Sequence, residues 1–346
     1  MDTTIIAFLV QDGVINGAIY ALLAVALVVV FTVTRVILVP QGDFVTFGGL
    51  TLAALETGRT PGAIWLLLVL AAIATAMDVI AALRDGHHRR AGFALAVGLA
   101  PALAIIAAVL LIAPLQLGLA VNLVLCALII VPMGPYLYRA AFQPLANASV
   151  LVLLIAAVGA HLGMTGLGLA IFGAEGFRTS QLIGGSVQLG PLIVTGQSLL
   201  VLIVSAALLV ALSLFFGSTL IGKALRASAV NQRGARLVGI SPSLSGKLAF
   251  TMAAAIAVVS AVLIAPLTTL YYDSGFLIGL KGFVAAIIGG LASYPGAVLA
   301  ALGVGMLESF SSFWASAFKE VIVFAAILPV LLARSLTAGH VEEEEH

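Results

Sequence analysis

The residues most suggestive of nucleotide chemistry lie in one short stretch. Residues 217–224 read Gly-Ser-Thr-Leu-Ile-Gly-Lys-Ala, which nearly spells the phosphate-binding motif Gly-x-x-x-x-Gly-Lys-Ser/Thr. That motif needs a hydroxyl after the lysine to hold magnesium, and it follows a strand in a soluble α/β domain. Here Ala224 follows Lys223, and a membrane-length apolar run comes before both. We therefore expect this chain to bind no ATP, no metal and no other cofactor itself.

A basic segment surrounds this stretch. Residues 217–247 contain no Asp or Glu, and their basic residues are Lys223, Arg226, Arg233, Arg236 and Lys247. Because translocating Lys and Arg is disfavoured, we expect this loop on the cytoplasmic side of a membrane. The sequence predicts one helix from Ala224 to Gly239, which Ser241-Pro242 would end. A short cationic helix of this kind suits the docking of a partner.

Composition indicates that the remainder of the chain is embedded in a membrane. Of the 346 residues, 62% are hydrophobic and only 8% are charged, whereas soluble domains have about 25% charged residues. About 20 mostly apolar residues cross a bilayer. We predict an all-α polytopic helix bundle, a single domain over residues 1–346 with about 8–10 apolar segments. The candidate segments are 13–34, 36–55, 63–83, 91–113, 115–138, 149–171, 191–216, 248–270, 279–307 and 317–334.

The segment 279–307 carries the strongest helix-breaking signal. Gly289, Gly290, Pro295 and Gly296 would split it into two halves of about eleven residues, each too short to cross alone. Broken helices at membrane depth often mark a translocation route. The alternative is one kinked span that packs through its glycines. A hairpin would leave the last helix inside, whereas a kinked span would leave the acidic tail, residues 342–345, outside.

Two titratable residues lie within predicted spans. His161 lies between Gly159 and Gly163, a spacing that lets another helix approach closely. It is either a pathway residue or a hydrogen-bonded packing residue. Asp78 is an intramembrane acid, which is by default a functional hypothesis. We expect it to reach instead toward Arg84, about one and a half turns away.

Several blocks of sequence resemble the permeases of branched-chain amino acid ABC importers, the LivH-type subunit. The blocks are residues 16–22, 138–145, 222–240 and 275–308, and they occur in the order found in that family. The last block includes Gly289-Gly290-Leu291 and Pro295-Gly296-Ala297. The resemblance implies a multi-pass permease of the bacterial inner membrane, and it implies no enzymatic activity.

The resemblance also implies a role for the basic loop, which couples the permease to its ATPase in that family. The coupling residues carried over to this chain are Lys223, Arg226, Ala227, Asn231, Arg233, Ala235, Arg236, Leu237 and Gly239. One position departs from the family pattern. Arg233 stands where relatives commonly carry Glu, so a salt bridge made by that acid is not expected here.

Gln41, Gly42 and Asp43 take the place where the family's second span typically opens with His-Gly-Glu. Gln and Asp keep hydrogen-bonding ability, although Gln lacks the titratable imidazole. The resemblance makes these residues pathway candidates. The alternative is that Pro40 and Gly42 merely start a helix, with Asp43 favourable in its first turn.

The resemblance fails in residues 63–138. The family pattern leaves room for about one span there, whereas this chain has room for about three. We therefore expect an extra hydrophobic hairpin, which preserves the direction of the later spans.

Taken with the resemblance, the sequence predicts one subunit of a larger importer. The implied partners are a homologous permease subunit, two cytoplasmic ATPases that hold ATP and magnesium, an extracytoplasmic binding protein and membrane lipid. Nucleic acid is not among them. The substrate would be a branched-chain amino acid, or another amino acid, an amide or urea.

A secondary transporter is the alternative, but it would couple an ion through charges at mid-membrane, whereas the charges here cluster near the predicted ends of spans. An intramembrane enzyme would need a convergent catalytic set that the sequence does not contain.

Overall fold

The computed structural model describes residues 3–84, 86–190 and 192–337, which are mostly helical. The α-helices of this part are α1 (Thr3–Thr34), α2 (Gln41–Glu56), α3 (Ala63–Arg84), α4 (His88–Ile112), α5 (Leu119–Leu137), α6 (Val150–Phe172), α7 (Gly196–Ser218), α8 (Leu220–Val230), α9 (Gln232–Leu237), α10 (Pro242–Ile264), α11 (Ser274–Gly289), α12 (Tyr294–Trp314), α13 (Lys319–Ala325) and α14 (Ile327–Thr337). A π-helical turn, Tyr138–Phe142, extends α5. The acidic tail named above lies outside the described residues.

One small β-hairpin separates α6 from α7. Strand β1 (Ser186–Leu189) pairs antiparallel with β2 (Leu192–Thr195), with Ser186 opposite Thr195. We call the end of the bundle that carries this hairpin the hairpin end. The opposite end, which carries residues 219–241, is called the loop end.

The predicted polytopic helix bundle is confirmed. In the described part of the chain, nine helical segments are long and apolar enough to cross a membrane. The second predicted span, 36–55, is an exception, because its first residues are not helical and α2 has only 16 residues. At 1.5 Å per residue, α2 is about 24 Å long and does not cross alone.

The core is built around α1, which is apolar on all sides. The most apolar part of α1 is 83% buried, as expected for a helix without a polar face. It packs most extensively on α12, where glycines let the two backbones approach. A Cβ atom added at Gly17 would lie 2.8 Å from the Cα of Leu302, and one added at Gly305 would lie 2.4 Å from the amide nitrogen of Gly17. By contrast, only 17% of the apolar window of α7 is buried.

The predicted break in the segment 279–307 is present, but the predicted lengths are wrong. Residues 290–293 form a turn in which Gly290 has φ +79° and the Ser293 hydroxyl accepts a hydrogen bond from the amide of Gly296. The flanking helices α11 and α12 have 16 and 21 residues, not about eleven each. They pack against each other as an antiparallel pair, so the structure matches the hairpin alternative and not the single kinked span.

The segment 63–138 contains three helices. α3 and α4 form an antiparallel pair that packs on the outside of the bundle, chiefly through α3 against α5. Many apolar side chains of α4 point outward; Phe93 and Leu111 are more than 70% exposed. This arrangement fits a hydrophobic hairpin added to the edge of a bundle.

Candidate functional site

Helix α2 begins in the middle of the bundle. The side-chain amide of Gln41 donates a hydrogen bond of 3.1 Å to the carbonyl of Ala253, which lies halfway along α10. At the other end of α2, the Glu56 carboxylate accepts a hydrogen bond from the amide of Ser180 at the hairpin end. Thus α2 spans only the half of the bundle nearer the hairpin end. Residues 35–40, which are not helical, cross the other half.

Helix α11 begins at the same depth and runs the opposite way. A Cβ atom added at Gly42 would lie 1.8 Å from the carbonyl oxygen of Gly275 and 2.9 Å from the amide nitrogen of Gly279. The first turns of α2 and α11 are therefore in backbone contact, and α11 then runs to the turn at the loop end. Because the N-terminal end of each helix carries a partial positive charge, two such ends converge inside the bundle.

A buried carboxylate lies where these helix ends meet. Asp43, in the first turn of α2, is fully buried, and its Oδ2 atom lies 2.8 Å from Nδ1 of His161. Within the described residues, its Oδ1 atom has no hydrogen-bond partner. The first helical turn stabilises this carboxylate electrostatically.

His161 connects α6 to both short helices. Its ring stacks on Phe276 of α11, with centroids 5.0 Å apart and an angle of 26° between the ring planes. It thus contacts Asp43 on one side and α11 on the other. The neighbouring glycines do not act as predicted, because a Cβ atom added at Gly159 or Gly163 would meet nothing within 4 Å. The close helix approach expected from that spacing is absent among the described residues.

The predicted pathway residues fall into two places. Gln41, Gly42, Asp43 and His161 come together at the centre of the bundle. The other four lie at or beside the turn between α11 and α12 at the loop end: Gly289 ends α11, Gly290 is in the turn, and Pro295 and Gly296 are in the first turn of α12. Their role there is close packing, since a Cβ atom added at Gly289 would lie 2.3 Å from the amide nitrogen of Ala297.

A second buried polar cluster was missed by the sequence analysis. The ammonium group of Lys281 lies 2.5 Å from Oε1 of Glu308 and 3.2 Å from Oε1 of Glu320. The Tyr20 hydroxyl donates a hydrogen bond of 2.5 Å to Oε2 of Glu308. These contacts tie α1, α11, α12 and α13 together. The expectation that charges cluster near the ends of spans is therefore wrong for Lys281 and Glu308, and a lysine within an apolar span was the signal that we overlooked.

Asp78 also has a different partner from the one expected. It forms an ion pair with Arg139 of the π-helical turn, whereas we expected it to reach toward Arg84. The pair joins α3 to the end of α5. Asp78 therefore attaches the outer helical hairpin to the bundle.

The basic segment at the loop end forms two helices, not one. Asn231 has φ −151° and ψ 99°, which interrupts the predicted helix Ala224 to Gly239, and its side chain accepts a hydrogen bond from the amide of Gly234 to begin α9. Asn disfavours a helix interior because it bonds to nearby backbone, and it is a preferred cap. The stretch that resembles a phosphate-binding loop consists of the end of α7, one extended residue, Thr219, and the first residues of α8.

The two helices present an apolar and basic surface, which we call the docking surface. Its exposed apolar residues include Val230, Leu237 and Val238, which are 86%, 89% and 75% exposed. A groove of about 550 Å³ runs between α8 and α9. Among the predicted coupling residues, those with exposed side chains or backbone are Lys223, Arg226, Ala227, Asn231, Arg233, Arg236, Leu237 and Gly239.

Ala235 is the exception, since it is only 4% exposed and packs against its own chain. Because the predicted helix is interrupted at Asn231 and has ended before Gly239, Ala227, Ala235 and Gly239 do not lie on one helix. The docking surface is anchored by a hydrogen bond of 2.7 Å from the Gln232 side chain to the carbonyl of Val33, at the end of α1.

The turn between α11 and α12 adjoins the docking surface. The ring of Tyr294, the first residue of α12, stacks on Phe216 near the end of α7, with centroids 5.2 Å apart. A cavity of about 300 Å³ beside it is lined by Tyr294, Pro295 and Arg226 of α8. The start of α12 thus contacts the end of α7 and shares a cavity with α8.

These features agree with the comparisons with known proteins. Residues 88–331 match the family described as "Branched-chain amino acid transport system / permease component". The chain belongs to this family. With nine membrane-length apolar segments among its described residues, this permease-family chain is a multi-pass protein of the inner membrane. The match begins inside the segment 63–138, so our expectation that the resemblance fails there is wrong from His88 onward.

Among individual relatives, the chain is 32% identical over 202 residues to the "High-affinity branched-chain amino acid transport system permease protein LivH" of Salmonella typhimurium. The alignment covers 56% of this chain and 65% of LivH, so it spans slightly less than two thirds of that relative. The BraD permease of Pseudomonas aeruginosa is 29% identical over 208 residues, covering 58% and 68%. The solved structure of PsaBC from Streptococcus pneumoniae in complex with Fab is 13% identical, covers 96% of this chain and 91% of its own, and has a TM-score of 0.35, which is too low to support an argument.

Proposed function

We propose that this chain is the permease subunit of an ATP-driven importer of branched-chain amino acids. The observation that carries the proposal is the family match over residues 88–331, together with relatives whose names describe branched-chain amino acid transport. The role is passage of the solute and not catalysis. ATP and magnesium would be held by two separate ATPase subunits.

The docking surface is the proposed contact with one of these ATPases. Exposed apolar residues such as Val230 and Leu237 suit a groove in a partner, and the surrounding arginines suit an acidic rim. The basic charge supports a cytoplasmic position for this loop, by the positive-inside rule. The hairpin end would then face an extracytoplasmic binding protein, and a second, homologous permease subunit would complete the membrane part.

The proposed mechanism moves the central contact by way of the docking surface. In this conformation the first turns of α2 and α11 are in backbone contact at Gly42 and Gly275. This contact would close the bundle to solute at that depth. Hydrolysis would shift α8 and with it the end of α7, which packs on α8. The stack of Tyr294 on Phe216 of α7 would then carry the shift to α12 and α11. Separation of the two helix ends would then expose Asp43 and His161 to the solute.

Reconstitution in proteoliposomes tests this function. With the ATPases, the second permease subunit and the binding protein present, ATP should drive uptake of labelled leucine, isoleucine and valine. The chain alone should transport none of them. Uptake by the chain alone would support a secondary transporter instead, and ATP-driven uptake of urea or an amide in place of leucine would overturn the proposed substrate class.

A further inference from the structure

The cavity of about 300 Å³ beside Tyr294 reaches from the loop end toward the middle of the membrane. Its lining includes Val25 of α1 and Leu209 of α7, and each of these lies nine residues before the end of its helix, at Thr34 and Ser218. At 1.5 Å per residue this is about 14 Å, close to half of the roughly 30 Å hydrocarbon thickness of a bilayer. The cavity therefore extends over about the depth of one lipid leaflet.

The walls of this cavity are mostly apolar, and a cation lies at its loop end. Leu209, Leu212 and Val298 contribute hydrocarbon from α7 and α12, whereas Arg226 of α8 contributes a guanidinium group whose side chain is exposed. None of the described residues that line the cavity is acidic, and residues 217–247 contain no Asp or Glu. The charge and the apolar walls together complement a molecule with an anionic head and a hydrocarbon tail.

The size and position of the cavity favour a lipid over a helix of a partner protein. An α-helix is about 10–12 Å across, so about 300 Å³ holds less than one of its turns. Helix α7, which forms one wall, lies at the outside of the bundle, and its side chains Val210 and Leu214 are mostly exposed. Basic pockets between transmembrane helices on the cytoplasmic side are known to bind anionic lipid headgroups.

We propose that this cavity binds one anionic phospholipid from the leaflet at the loop end. The guanidinium group of Arg226 donates hydrogen bonds to the phosphate, which lies at the level of the headgroups. One acyl chain lies along Leu209, Leu212 and Val298 and ends near Val25. The lipid thereby fills the space between α7 and α12 beside the stack of Tyr294 on Phe216.

This inference goes beyond the proposed function and is tested apart from it. Arg226 also lines the groove between α8 and α9, where the ATPase is proposed to dock. Leucine uptake by an Arg226 variant would therefore report on both contacts. Lipid binding to the full chain alone reports on the cavity only, so a failure of this test leaves the transport proposal untouched.

The test is titration of the purified full chain in detergent with dioleoyl phosphatidylglycerol, with native mass spectrometry to count the bound lipids. One phosphatidylglycerol should bind about tenfold more tightly than dioleoyl phosphatidylcholine, which has the same acyl chains and no net charge. Arg226→Gln should lower the affinity for phosphatidylglycerol about tenfold, as expected when a hydrogen bond between charged groups is lost. Arg233→Gln is the matched control, because Arg233 is an exposed arginine of the same end that does not line the cavity.

A second pair of variants tests the place of the acyl chain. Ser213 is exposed and lines the cavity, whereas its neighbour Leu214 is exposed and does not. Ser213→Trp should therefore fill the cavity and weaken the binding of both lipids, while Leu214→Trp should weaken neither. Unaltered unfolding temperatures show that the variants are folded.

A soluble probe separates a lipid site from a phosphate site. Glycerol 3-phosphate carries the anionic group without acyl chains, so it should not bind at concentrations that saturate phosphatidylglycerol. Binding of glycerol 3-phosphate as tight as that of the lipid would replace the lipid site by a simple anion site. Equal affinity for the two lipids, or affinities that Arg226→Gln or Ser213→Trp leaves unchanged, would overturn the proposal.

Discussion

Two buried polar clusters hold the short helix α11 in different ways. At its first turn, α11 meets the Asp43–His161 pair, in which one carboxylate oxygen has a histidine partner and the other has none among the described residues. Seven residues after Ser274, Lys281 pairs with the two carboxylates of Glu308 and Glu320. The first cluster relies on helix ends for compensation of its charge, whereas the second relies on opposite side-chain charges.

This difference indicates different roles. The Lys281 cluster shares one ammonium between two carboxylates and joins α11, α12 and α13 to α1, although Oε2 of Glu320 has no partner among the described residues. The unused Oδ1 of Asp43 differs in its place, because it lies where the first turns of α2 and α11 meet and can bond to a group that enters between them. We therefore regard the Lys281 cluster as the fixed part of the structure and the Asp43 pair as the part that changes partners.

The largest expected effect comes from Lys281→Met, which leaves two carboxylates at Glu308 and Glu320 without their cation. Breaking a buried pair by removing one partner costs about 3–5 kcal/mol. The unfolding temperature in detergent should fall sharply, whereas Lys223→Met on the exposed docking surface should have little effect. The double variant with Glu308→Gln should recover part of the loss, and a variant Lys281→Met that unfolds like the wild type would show that the cluster carries no stability.

A smaller effect is expected from Gly42→Ala at the contact of α2 with α11. The added methyl group would lie 1.8 Å from the carbonyl oxygen of Gly275, so the helix ends must separate, at a cost of about 1–3 kcal/mol. Gly159→Ala is the matched control, because nothing lies within 4 Å of its added atom.

Thermal unfolding measures the stability of these two alanine variants. Leucine uptake by the complete importer without ATP measures how tightly each variant closes the bundle. Gly42→Ala should lower the unfolding temperature and should let solute leak without ATP. Equal stability and equally tight closure in both variants would contradict a closed contact at this depth.

The sequence was sufficient to predict much of this architecture. Apolar length indicated the spans, and the turn at Gly290 followed from residues that break helices. Gln41, Gly42 and Asp43 were predicted as one block and His161 independently of them, and the four residues meet at the centre. The non-helical residues 35–40 were not predicted, because Val36, Leu38 and Val39 are as apolar as any helical span. Their conformation depends on the tertiary contact of α2 with α11, which has no local signal.

The ion-pair partners of the charged residues could not be predicted from the sequence either. Asp78 pairs with Arg139, 61 positions away, and Lys281 pairs with Glu308 across a helical turn that had been expected to divide a single span. Helical spacing predicts neighbours within one helix, and it cannot predict which helices will be adjacent. The helical residues of the docking surface were predicted, but as one helix and not two. Asn231 caps the second helix, and this role does not follow from its moderate helix propensity.

Asp43→Asn should have a smaller effect than either of the substitutions above. Asn has nearly the same shape and can still form a hydrogen bond to His161, so the loss is that of the charge at the helix end, about 1 kcal/mol. The double variant with His161→Gln tests whether the two residues act together. We expect the change in unfolding free energy of the double variant to differ from the sum of the changes in the two single variants. If the changes simply add, Asp43 and His161 do not stabilise the structure jointly. Leucine uptake should fall more than stability does if this cluster changes partners during transport.

The smallest effect on stability is expected on the docking surface, where Val230→Asp should change the unfolding free energy by about 0.5 kcal/mol or less, because Val230 is 86% exposed. Its effect should instead appear in assembly, since Val230 lines the groove between α8 and α9 and an acid there must be desolvated when a partner binds. Leu220→Asp is the matched control, because Leu220 is 84% exposed yet does not line that groove.

Co-purification with the ATPases should be lost for Val230→Asp and retained for Leu220→Asp. If both variants retain the ATPases, the groove is not the contact; if both lose them, the contact extends beyond the groove to the start of α8. A stability loss in Val230→Asp as large as that of Gly42→Ala would mean that this surface is packed within the permease itself, and the contrast between a fixed interior and a free docking surface would be wrong.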